Sequence, residues 1–166
     1  PCAWSKLRLG WVDPVYQDQA GELSLAPVAQ SAQAVRVWDN DERTFSYFLL
    51  AYRTRQGFDS DLPAEGLLIW HVDERAFDNR DSLLMLVDLE EADGRADLER
   101  GVNTGDAGDP FPGQSNNTGF ATLTNPSSTR NNGLPSDVAV TGIRIQAAQA
   151  LFNLSQPART GLTVFY

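Results

Sequence analysis

The sequence predicts a mainly β fold (β-rich α+β) with one short N-terminal helix, in a single domain spanning residues 1–166. Three observations lead there. Apolar and polar residues alternate early in the chain, Leu23 with Leu25 and Val35 with Val37, as half-buried strands require. Residues 67–72 and 83–89 are apolar almost without interruption, the pattern of strands covered on both faces. Residues 106–135 are crowded with Gly, Pro, Asn, Ser and Thr, with Phe111, Phe120 and Leu123 as the only obvious anchors.

Taken in order, residues 3–11 place Trp4, Leu7 and Trp11 on one side of a helix and Lys6 and Arg8 on the other. Gly10 and then Asp13-Pro14 end it, and both tryptophans are expected to anchor the helix on the core. The chain opens on Pro1 inside this helical pattern, so a fragment of a longer protein is expected. Strands follow at 22–28 and 34–38. The polar run from Asp39 to Arg43 turns the chain into a strand over 44–53 carrying Phe45, Tyr47, Phe48 and Tyr52, which makes a hairpin. A loop over 57–63 holds Asp59 and Asp61. Residues 67–72 and 83–89 are the candidates for the centre of the sheet, and 138–145, 151–154 and 162–165 supply closing strands. The expected core includes Trp4, Trp11, Leu68, Trp70, Leu84 and Leu86.

A formal net charge of -9, with Lys and Arg scattered, argues against nucleic acid or an anionic membrane as partner and favours a cation. No apolar run reaches the length of a membrane span, and no signal-peptide pattern is present. Cys2, the one cysteine, can form neither an internal disulfide nor a Cys-rich zinc site, and no histidine near it in sequence activates it as a nucleophile.

The sharpest chemical candidate is an acidic loop. Eight carboxylates, those of Asp88, Glu90, Glu91, Asp93, Asp97, Glu99, Asp106 and Asp109, face only Arg95 and Arg100. Calcium takes about six to eight oxygens in irregular geometry, and Gly94, Gly105 and Gly108 let main-chain carbonyls turn inward. Asp88, Glu90, Glu91, Asp93, Asp97, Asp106 and Asp109 are therefore the candidate calcium ligands, although the spacing is not that of an EF-hand. A solvated acidic loop offset by the two arginines is the alternative. His71, the only histidine, stands with Asp73 and Glu74 and could form a general-base pair, but a histidine ending a buried strand is more often a hydrogen-bonded structural residue.

Five stretches resemble the immune inhibitor A family of secreted zinc metallopeptidases. They are Ala3-Trp-Ser-Lys-Leu-Arg-Leu-Gly-Trp11, Tyr47-Phe-Leu-Leu-Ala-Tyr-Arg53, Gly66-Leu-Leu-Ile-Trp-His-Val-Asp73, Val87-Asp-Leu-Glu-Glu-Ala-Asp-Gly94 and Gly105-Asp-Ala-Gly-Asp-Pro-Phe-Pro-Gly113, in the family's order and at similar spacing. The resemblance implies the C-terminal part of a zincin-type metallopeptidase domain, secreted or extracellular, acting on protein or peptide substrates. The family's zinc sits on a His-Glu-x-x-His helix that this sequence lacks, so zinc and the catalytic residues would belong to an upstream half. His71 and Asp73 would then edge the cleft that half builds. One departure stands out: Ala51-Tyr52 replaces the family's Glu-Asn before Arg53. The rival class is a stand-alone, calcium-stabilised extracellular β-module that binds protein or glycan.

Overall fold

A computed structural model describes residues 1–17, 19–38, 45–81 and 83–156. It is mainly β. Helix α1 (Ala3–Arg8) begins inside the chain at Cys2, whose Sγ accepts a hydrogen bond from Ser5 N at 3.5 Å. Strands β1 (Val15–Tyr16) and β2 (Gly21–Leu25) follow, then the single turn α2 (Val28–Ser31), β3 (Val35–Trp38) and β4 (Ser46–Arg53). A 3-10 turn at Gly57–Asp59 leads to β5 (Gly66–Asp73), β6 (Val87–Leu89), β7 (Gly119–Phe120), β8 (Ala139–Gln146) and β9 (Gln149–Ser155). One sheet runs β1-β3-β4-β5-β6 and the other β2-β9-β8-β7. All pairings are antiparallel except β1 with β3.

Strand alternation divides the larger sheet between two cores. Phe48, Leu50 and Tyr52 of β4 with Leu67 and Ile69 of β5 face the smaller sheet, where they meet Phe120, Val140, Ile143, Phe152 and Leu154. Phe48 and Phe120 cross edge to face at 5.2 Å. Tyr47, Leu49, Ala51, Trp70 and Val72 point the other way, onto Ala3, Val12 and Val28. Cover on both faces explains why β4 is buried along its whole length.

Several expectations are corrected. Residues 83–89 are not central: only Val87–Leu89 is strand, half-buried and on the sheet edge. Asn79 closes that edge with its side chain, accepting from Val87 N at 3.0 Å and donating to Val87 O at 2.6 Å. Leu84 and Leu86 are accordingly half-buried, as are Leu68 and Trp4. Trp70 is buried as expected. Trp11 is 60% exposed. Gly10 takes the left-handed conformation (φ +70°) while its N–H and that of Trp11 close back on Leu7 O and Lys6 O, which stops the helix and swings Trp11 off the apolar stripe. The strand expected over 22–28 stops at Leu25, ahead of Pro27 and α2. The hairpin of β3 with β4 is present, but its expected turn at 39–43 and the strand expected at 162–165 lie outside the described residues.

Candidate functional site

His71 lies near the C-terminal end of β5 under cover, 4% exposed. Its Nε2 lies 3.0 Å from Ser46 Oγ on β4, and its Nδ1 lies 3.9 Å from Glu90 Oε1. Serine, histidine and acid stand in the order of a nucleophile, base and orienting group. Ser46, however, is itself only 4% exposed, so a substrate has no path to its hydroxyl. The arrangement is that of a hydrogen-bonded buried histidine. Asp73 is fully buried: its carboxylate takes Arg75 Nε at 2.8 Å, Arg75 Nη2 at 2.5 Å and Asn131 Nδ2 at 3.2 Å. Burial works against its charge, but the Arg75 bonds prevail and hold the group below the ordinary carboxylate range. Glu74 accepts from Tyr47 Oη at 3.0 Å, and the Tyr47 phenol is pushed up, first by burial.

The acidic loop separates into two groups joined by Glu91. In the first, Asp88 pairs across the sheet with His71, and the Glu99 carboxyl lies beside that of Asp88. Burial, and then Glu99, push Asp88 up to about 8. Burial, then the charges of Asp88 and Glu99, raise Glu90 well above its ordinary value. Asp88 and Glu90 are thus both driven toward the protonated form by burial and by their acidic neighbours.

The second group gathers at Gly108. A Cβ built there would collide with the Asp93 carboxylate and lie 3.0 Å from Asp106 Oδ1. Asp109 Oδ2 accepts from Asp106 N at 2.7 Å, Asp106 Oδ1 from Gly108 N at 2.6 Å, and Asp93 Oδ1 from Arg95 N at 3.1 Å. Burial raises Asp109 to about 6, with Asp106, Glu91 and Asp93 adding repulsion against the steadying bond from Asp106 N. Glu91, 3% exposed, accepts from Asp97 N and Leu98 N at 2.8 and 2.7 Å, while Asp97 takes Arg100 Nη2 at 2.7 Å. These oxygens organise the loop's own amides. Among the described residues no group of three or more His, Cys, Asp or Glu side chains is placed to hold a metal ion.

Ser46 and the Asp88–Glu99 pair were not legible as partners of the His71 region. Strand alternation puts His71 and Asp73 on one face, but the residues beside them arrive from β4, β6 and the turn at Glu99 through register and chain return. No helix among the described residues is long and apolar enough to cross a membrane. No protein-family model, no curated protein and no solved structure matches the chain.

Proposed function

We propose that this chain is a non-catalytic, β-rich C-terminal portion of a secreted metallopeptidase-like protein, completing the fold and the substrate cleft beside a zinc-bearing upstream half. One observation carries the reading: three of the stretches that resemble the peptidase family pack as a single hydrogen-bonded unit. Leu67 and Phe111 exchange main-chain bonds, Ala92 N donates to Asp109 O at 2.9 Å, and Asp93 N donates to Gly108 O at 3.1 Å. Zinc held by two histidines does not fit these residues, because His71 is the only histidine and is bonded to Ser46. Hydrolysis would therefore rest with the upstream half.

Calcium belongs to the same proposal. Asp93, Asp106 and Asp109 carry the hard oxygens that calcium prefers and would have to draw together around the ion, and the repulsion felt by Asp109 is what a cation would relieve. The ion would steady the loop and take no part in chemistry. The test is the coding sequence ahead of Pro1 together with casein cleavage by the longer product. A His-Glu-x-x-His stretch there, and an isolated chain that leaves casein intact with zinc present, are the expected results. Zinc-dependent cleavage by this chain alone, or no such stretch upstream, overturns the reading. A stand-alone calcium-stabilised extracellular module for protein or glycan gains support from one fact, that both cores of the larger sheet close within this chain.

A further inference from the structure

We infer that the groove between α1, α2 and the 3-10 turn binds a small amphipathic carboxylate, an apolar body with one acidic end that pairs with Lys6. The groove encloses about 960 Å³ and is walled by Trp11, Val12, Val28, Ala29 and Phe58. That volume suits a small ligand, for which pockets of about 300–1,000 Å³ are usual. Trp11 and Phe58 stand exposed at its sides, apolar surface that a soluble chain does not ordinarily offer to water in one place.

Lys6 supplies the polar end. Its side chain is 12% exposed, and among the described residues it is the only cationic side chain lining the groove. Its carboxylate neighbour, Asp59, lies 3.9 Å away, beyond hydrogen-bond reach, and both Asp59 oxygens already receive the Arg53 guanidinium through Nε and Nη2. Burial and then the Arg53 charge lower the Lys6 pKa, as expected of an ammonium short of acceptors. Two other polar side chains nearby already donate elsewhere: Gln30 Nε2 to Gln56 Oε1 at 2.7 Å, and Ser31 Oγ to Pro27 O at 3.0 Å. A ligand with a single carboxylate finds the one partner it needs.

Calorimetric titration of the 166-residue chain with decanoate, with decanol as the uncharged control, tests this. Decanoate should bind saturably and decanol about tenfold more weakly, since a charged hydrogen bond is lost. Lys6→Met should weaken decanoate about tenfold and leave decanol within about twofold. Phe58→Ala, at a fully exposed ring that the fold does not need, should weaken both. No saturable decanoate binding, equal binding of acid and alcohol, or indifference of decanoate to Lys6→Met in a folded variant overturns the inference. Dimerisation abolished by Phe58→Ala in sedimentation would put a second copy of the chain in the groove and overturn it as well.

Discussion

Leu67 and Phe111 exchange a reciprocal pair of main-chain hydrogen bonds, 2.9 Å from Leu67 N to Phe111 O and 2.8 Å in return. This exchange ties the long irregular stretch after β6 to the outer end of β5. Asn117 Nδ2 reaching Ala92 O at 2.7 Å and the buried rings of Phe111 and Phe120 complete the attachment. The backbone thus supplies much of the constraint on that stretch.

Gly66 permits that approach. A Cβ at Gly66 would lie 2.6 Å from Phe111 O and 2.8 Å from Pro110 Cβ. Gly66→Ala should therefore part the two segments and cost about 1–3 kcal/mol, read from the urea midpoint. An unchanged midpoint would mean that the contact is looser than described.

Glu91 should matter for the loop's integrity whether or not a metal binds. Its carboxylate receives two amides, Asp97 N and Leu98 N. Glu91→Ala strands both, at a cost of about 2–4 kcal/mol, while Glu91→Gln keeps one acceptor oxygen and should lose less. Equal losses for the two variants in denaturant unfolding would contradict this account.

The Asp88 carboxyl, at about 8 in the fold against an ordinary 3.8, gives a pH dependence of definite sign. The folded state holds a proton that the unfolded chain releases, so the contribution is complete below the unfolded value and is lost as pH rises through the folded one. Glu90 acts in the same direction. In chelator, the melting temperature should fall by several degrees between about pH 5 and about pH 8.5. Asp88→Asn should flatten that slope and stabilise the protein at the upper end. A slope of the opposite sign would exclude a protonated Asp88 in the fold.

Calcium at Asp93, Asp106 and Asp109 should raise the melting temperature by several degrees at millimolar concentration. Binding to the folded state alone contributes about 2.7 kcal/mol at a hundredfold excess over the dissociation constant. Magnesium should do less, because it demands a tighter octahedron, and Asp106→Ala or Asp109→Ala should remove the shift. Identical melting in calcium and in chelator would leave the acids as ligands of their own loop amides.

The two tryptophans at Trp70 and Trp11 should respond oppositely. Trp70, 4% exposed between α1 and the sheet, should cost about 3–5 kcal/mol on truncation to Ala. Trp11→Ala should change stability by no more than about 0.5 kcal/mol. Comparable losses in thermal unfolding would return Trp11 to the core.

The sequence by itself determined the mainly β fold and the positions of β3, β4, β5, β8 and β9. Two-residue alternation and unbroken apolar runs are local properties of a chain, and a strand inherits them whatever it pairs with. It also located the acidic loop, since a run of like charges is visible without a fold. Only the tertiary structure decided that β4 is central and β6 an edge, because Asn79 closes the edge from outside the strand. It alone divided the acids into a half-buried pair at Asp88 and Glu99 and a cluster around Gly108. It alone turned Trp11 outward beside Lys6. In each case the deciding partner arrives through chain return, and burial, which sets both the dielectric and the available acceptors, depends on neighbours that no local pattern specifies.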